Sequence, residues 1–237
     1  MNETKPVPAL AILRELPAYL RRPQLTAPVG LRKAQAGRQL AMLVVFETIV
    51  LMLVVLPLVL AWKNAFELPD PTAFDQLPKG WLLPLALVAA PLGEEMVFRG
   101  WLTGRVRALW LLGCALAITG LGYASTVGMA PLAVGVAALA VLLAAPIGWF
   151  VLRKRGVPRW FAAGFPAIFY LVLTGFALTH LMNYPSFSLL MIPLVLPQAW
   201  IGLMLGYTRM RIGLPGSMLM HMLSNGTVLA FAALAGS

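Results

Sequence analysis

The chain has two histidines and eight acidic residues in 237. Both histidines and one adjacent pair of acids fall inside long apolar runs. An ionisable side chain at membrane depth costs at least a few kcal/mol and marks a functional position by default. In the run Pro91-Leu92-Gly93-Glu94-Glu95-Met96-Val97-Phe98-Arg99, neighbouring helical residues point about 100° apart. The two glutamates therefore face different surroundings. Arg99 follows Glu95 by four residues, the spacing of an ion pair on one helix face. Glu94 is left as the acid without a local partner, placed to act as a general base. The plainer alternative is that all three charges mark a helix end at the interface. Phe176 and His180 share a face by the same spacing, as a catalytic imidazole or as a packed, hydrogen-bonded one. His221 and Asn225 repeat the pattern. Both can donate into a cavity, as a developing oxyanion requires, or make a polar helix–helix contact. One cavity built from three helices explains why every histidine and the acid pair lie in apolar runs. Separate polar contacts leave that as coincidence.

Other polar residues are less informative. Glu47, about five residues into the first run, is either a proton relay or a side chain reaching the inner interface or an arginine. Gln198 beside Pro197 is expected to satisfy backbone groups freed by the proline. No Gly-rich phosphate loop, CxxC or HExxH occurs, and Ser224 has no acid–histidine partner nearby in sequence. Serine-hydrolase and zincin chemistry therefore lack support. The single cysteine, Cys114, excludes an intrachain disulfide.

The elements that must position these groups are helices in lipid. With 60% hydrophobic and 11% charged residues, the chain departs from the roughly 25% charge of soluble domains, which excludes a water-soluble or disordered protein. Apolar runs occupy about 40–62, 81–98, 108–123, 131–152, 160–182, 188–207 and 212–235, each near the roughly 20 residues a span needs. The net charge of +10, from 18 Lys and Arg against 8 Asp and Glu, comes from basic residues beside these runs. It points to membrane topology and anionic lipid rather than nucleic acid. Seven basic residues precede the first run, from Lys5 to Arg38. Arg99, Arg105 and Arg107, then Arg153, Lys154, Arg155 and Arg159, then Arg209 and Arg211 crowd every second connection. The intervening connections carry no basic residue, or only Lys63 and Lys79 offset by Glu67, Asp70 and Asp75. The expected fold is thus all-α and polytopic, with about seven transmembrane helices and the N-terminus inside. Residues 1–36 read as a basic N-terminal segment without a signal peptide. Within it Leu10–Arg22 forms either a short amphipathic surface helix or a partly ordered tail. Residues 37–237 read as one seven-span domain.

At the three motifs the chain resembles the CPBP family, the CAAX protease and bacteriocin-processing intramembrane proteases, which includes the Ras-converting endopeptidase of eukaryotes. The family pattern is an E-E-x-x-x-R helix, an F-x-x-x-H helix and an H-x-x-x-N helix. Here these are Glu94-Glu95 with Arg99, Phe176 with His180, and His221 with Asn225. The stretch Gly202-Leu203-Met204-Leu205-Gly206-Tyr207 before Arg209 also looks like the family, and the motif core spans residues 92–227. The resemblance implies a glutamate-dependent intramembrane endopeptidase acting on a membrane-associated protein or peptide. Glu94 and His180 would activate water, His221 and Asn225 would stabilise the oxyanion, and Glu95, Arg99 and Phe176 would support the site. No cofactor is expected, although a divalent metal at Glu94, His180 and His221 is geometrically conceivable. The short chain looks bacterial, which implies a multi-pass protein of the inner membrane and makes a prenylated substrate the second choice. No nucleic-acid partner is expected, and the sequence does not set the oligomeric state. Two departures stand out. The runs at 108–123 and 131–152 lie between the first two motifs as an extra pair. Counted at about 1.5 Å per residue, Glu94 and His221 lie about 10–15 Å from the inner face, whereas His180, counted from Trp160, lies far deeper. A proton-coupled transporter using Glu47, Glu94 and the histidines, or a non-catalytic immunity or scaffold protein of the same fold, are the alternatives.

Overall fold

The computed structural model describes residues 9–73 and 78–235; Lys5 and Asp75 lie outside them. Among the described residues all regular structure is helical. The helices are α1 (Ala9–Arg21), α2 (Ala34–Ala65), α3 (Gly80–Arg99), α4 (Val106–Thr126), α5 (Pro131–Lys154), α6 (Arg159–Asn183), α7 (Leu189–Arg211) and α8 (Leu214–Ala235). Six of them, α2 to α7, are long and apolar enough to cross a bilayer. The seventh expected span corresponds to α8. It has 22 residues. The chain is an all-α, multi-pass integral membrane protein.

Both α2 and α3 contain one wide π turn, at Leu51–Val55 and Leu85–Ala89. In α3 the turn closes with the Ala90 N–H donating to the Leu85 carbonyl, five residues back. The next donor in that register would be Pro91, which has no N–H. The Ala86 carbonyl is thereby left open along its own helix.

The chain divides into two compact units, residues 1–99 with 165–237, and residues 100–164. The first unit contains α1, α2, α3, α6 from Phe165 onward, α7 and α8. In it α8 packs against α7, α3 and α2. Close approach in lipid requires small residues, and α7 supplies them. A Cβ on Gly202 would lie 2.8 Å from the Phe176 ring, and one on Gly206 would lie 2.8 Å from the Phe169 ring. These two glycines, one helical turn apart, are the seats of two α6 phenylalanines. The N-terminal segment is docked rather than loose. α1 buries Ile12, Leu16 and Tyr19, a stripe at helical spacing. Its Ile12 carbonyl accepts from the Tyr207 hydroxyl at 2.8 Å, and Glu15 pairs with Arg211. Beyond α1, the Val29 and Gly30 N–H groups donate to the Arg211 and Ile212 carbonyls at 2.9 and 3.1 Å, satisfying the last turn of α7.

The second unit is an antiparallel hairpin of α4 and α5 with the first turn of α6. Trp110 Nε1 donates to the Ala145 carbonyl at 3.2 Å. The indole occupies the space over Gly148, where a Cβ would come within 2.2 Å of it. Neither α4 nor α5 (over Pro131–Val151) holds a buried residue, as expected of apolar helices whose outer faces meet lipid. The connection into α4 turns at Gly104, whose φ is +65° and whose missing Cβ leaves room for Phe161.

Candidate active site

All the motif residues lie in the first unit. The site is built outward from Arg99, at the end of α3. Its guanidinium pairs with Glu95 one turn earlier, donates to the Gly202 carbonyl at 3.3 Å and lies 4.4 Å above the Phe176 ring. The Arg99 carbonyl, one of those a helix end leaves free, accepts from Arg209 Nε at 2.9 Å. Arg99 and Glu95 are only 1% and 0% exposed. The pair is therefore enclosed by protein.

Phe176 is the hub of the aromatic packing. It meets Phe98 edge-on at 5.3 Å, His180 at 4.9 Å and His221 at 5.8 Å between ring centres. Just beyond it α6 tightens into a 3₁₀ turn, His180–Asn183. The Phe176 carbonyl there accepts from the Thr179 hydroxyl at 2.8 Å and lies 2.9 Å from His180 Nδ1. A carbonyl only accepts, so Nδ1 carries the hydrogen. In the neutral ring Nε2 then presents a lone pair, and that atom lies 4.0 Å from Glu94 Oε2.

His221, on α8, shows the same polarity. Its Nδ1 lies 3.2 Å from Glu95 Oε1, and its Nε2 lies 3.7 Å from Glu94 Oε2. Both imidazoles are thus anchored through Nδ1 and aim Nε2 at one carboxylate oxygen. That oxygen accepts no hydrogen bond among the described residues, since 3.7 and 4.0 Å exceed a direct bond. Glu94 is 31% exposed, His180 19% and His221 4%, so Glu94 is the member within reach of an incoming molecule. Among the described residues, no three His, Cys, Asp or Glu side chains are gathered in the arrangement of a metal centre.

Asn225 sits one turn beyond His221. Its Nδ2 donates to the Ala86 carbonyl at 2.8 Å, the group left open before Pro91. One of its two N–H donors is therefore committed, and one remains. The buried Oε1 of Gln198 accepts no hydrogen bond among the described residues.

Residues 76–162 match the model of the family described as type II CAAX prenyl endopeptidase Rce1-like. That match supports the CPBP-family assignment. At family level it supports an intramembrane protease of the CAAX type. The matched stretch holds the CPBP motif residues Glu94, Glu95 and Arg99 and runs through α4 and α5, the pair that reads as an insertion from sequence. Phe176, His180, His221 and Asn225 lie beyond it. No curated protein and no solved structure matches the chain.

The structure gathers Glu94, Glu95, Arg99, Phe176, His180 and His221 around one point, and Asn225, one turn beyond His221, is held at Ala86. The expected depth difference of His180 is corrected. The His180 Nε2 lies 4.0 Å from Glu94 Oε2, so a residue count from Trp160 does not measure its height relative to Glu94. Glu47 is the residue whose surroundings the sequence missed. It reaches neither an interface nor an arginine. It is 0% exposed, with its Oε2 3.1 Å from the Ser224 hydroxyl of α8. No sequence signal pairs residues that far apart. The one hint was an acid placed well inside an apolar run.

Proposed function

We propose that the chain is an intramembrane endopeptidase that hydrolyses a peptide bond of a membrane-associated protein or peptide, with Glu94 as general base. The observation that carries this reading is the convergence of two imidazole Nε2 atoms, at 3.7 and 4.0 Å, on Oε2 of Glu94, a buried atom of a side chain that is 31% exposed. A separation of that size suits a bridging water. A water donating one hydrogen to Glu94 and the other to His180 Nε2 turns its oxygen lone pairs outward, toward a substrate carbonyl carbon. As the C–O bond forms, Glu94 takes the water proton, and the carbonyl oxygen becomes the oxyanion. His221, whose Nδ1–H is held by Glu95, donates to the oxyanion from Nε2 when it carries its second proton. Asn225 donates its remaining N–H. The proton then passes from Glu94 to the departing amide nitrogen as the C–N bond breaks, returning the carboxylate. Glu95, Arg99 and Phe176 touch no reacting atom and hold the two imidazoles in place. No step requires a metal.

The substrate chemistry follows from the setting: a site among apolar helices receives a peptide already delivered to the bilayer, here taken to be the bacterial plasma membrane. The test uses purified chain in lipid nanodiscs against a panel of reporter peptides, prenylated and unmodified, comparing wild type with Glu94→Ala and Glu94→Gln. Cleavage by wild type and loss in both variants is expected. Equal cleavage by all three would reject the assigned role. Solute uptake into proteoliposomes under a pH gradient, with no peptide cleaved, would favour a transporter instead.

A further inference from the structure

Glu47 is the buried acid that the proposed chemistry does not use. Its side chain is held from α8, by the Ser224 hydroxyl at 3.1 Å, and its carbonyl is held from α7, by Trp200 Nε1 at 3.0 Å. Its Oε1 is buried and accepts no hydrogen bond among the described residues. Ser224 is itself 0% exposed and also lies 3.0 Å from the Met220 carbonyl. Apolar residues would close the α2–α8 contact at less cost than a carboxyl group in a span, so the group's use must lie in what it fixes.

What it fixes is the rotation of α8. At about 100° per residue, His221, Ser224 and Asn225 fall within an arc of about 100°. His221 is aimed at Glu94 and Glu95, and Asn225 at Ala86, all on α3. Ser224 is aimed at α2. α8 also packs on α7; its polar contacts to α3 are joined by this one to α2, which further restricts its roll against α3. A roll of about 20° moves a side chain 5–6 Å from the axis by about 2 Å, and a misplacement of about 1 Å can cost about 100-fold in rate.

We infer that Glu47 is a positioning residue for hydrolysis, acting through Ser224 to lock α8 in the rotation that points His221 at Glu94. This rests on the reading of Glu94 given above. In the full chain, Glu47→Leu and Ser224→Ala are expected to lower kcat by about 10- to 100-fold with KM little changed. The double variant is expected to be no worse than Glu47→Leu alone, because both remove one contact. Glu47→Gln retains a carbonyl acceptor for Ser224 and is expected to keep most of the activity. A second readout does not depend on turnover. With only two histidines in the chain, ¹⁵N-imidazole spectra contain two rings, assigned by His221→Gln. Glu47→Leu is expected to move the His221 signals and leave those of His180. If Glu47→Leu does not fold, Ser224→Ala carries the same comparison. A folded variant with unmoved His221 signals and unchanged kcat overturns the inference. So does a Glu47→Gln variant as impaired as Glu47→Leu with His221 unmoved, which makes Glu47 a proton carrier. If Glu94→Gln proves fully active while Glu47→Leu still shifts His221, the assignment of Glu94 as general base falls and the positioning contact stands.

Discussion

Asn225 donates its side-chain amide, at 2.8 Å, to the carbonyl of Ala86, the acceptor that Pro91 leaves without a helical donor. The two residues join α8 to α3, the helices that carry His221 and Glu94. The π turn, the proline after it and the asparagine form one device. A wide turn ended by proline exposes a carbonyl sideways, and a neighbouring helix is pinned to it.

Removing the amide leaves that carbonyl largely buried with no partner, which costs about 1–3 kcal/mol. Asn225→Ala should therefore lower the thermal midpoint of the purified chain as well as its activity. Pro91→Ala supplies an N–H at the position where the π register needs one. Combined with Asn225→Ala it should recover part of the lost stability. Stability losses that simply add in the double variant would show that Pro91 does not create the open carbonyl.

That device was invisible in the sequence, because nothing in Leu85–Ala89 announces a π turn. The three motifs were legible because polar residues at i,i+4 spacing inside apolar runs have few structural explanations, and the spacing alone places Glu95 beside Arg99. The helical, membrane-spanning class followed from run length and charge. Long-range placement did not follow. The partners of Arg99 beyond Glu95, Gly202 and Phe176, lie too far along the chain to be read from spacing, and a residue count from Trp160 could not place His180 beside Glu94. Glu47 has its partner 177 residues away, beyond the reach of any local rule.

The Glu95–Arg99 pair should behave as a unit. Both side chains are almost wholly buried, and removing one partner of a buried pair typically costs about 3–5 kcal/mol, because the other charge is left uncompensated. Arg99→Met alone is expected to abolish stable folding or lower the thermal midpoint sharply. Glu95→Gln with Arg99→Met should recover much of that stability without restoring cleavage, since a neutral amide holds the His221 Nδ1–H more weakly than a carboxylate. A double variant as unstable as Arg99→Met would locate the loss elsewhere, in the contacts of Arg99 to Gly202 and Phe176.

The mechanism assigns every proton transfer to side chains. Cleavage of the reporter peptide should therefore survive exhaustive treatment with a chelator at unchanged kcat. Loss of activity that returns specifically with added zinc would move Glu94, His180 and His221 from acid–base work to metal ligation, and would require a rearrangement that draws them closer together than the described arrangement.

Gly202 is where packing and chemistry meet. A methyl group there would lie 2.8 Å from Phe176 and 3.0 Å from Leu173, so the Phe176 ring must shift. Overpacking of this kind costs about 1–3 kcal/mol. The ring that shifts also touches both imidazoles and the Arg99 guanidinium. Gly202→Ala is thus expected to lose far more activity than stability. Gly206→Ala, which crowds Phe169 at the same 2.8 Å but away from the histidines, should lose comparable stability and keep far more activity. Measuring thermal midpoint and kcat for both variants separates the two effects. Equal losses of activity would mean that Phe176 packs the helices without aiming the imidazoles.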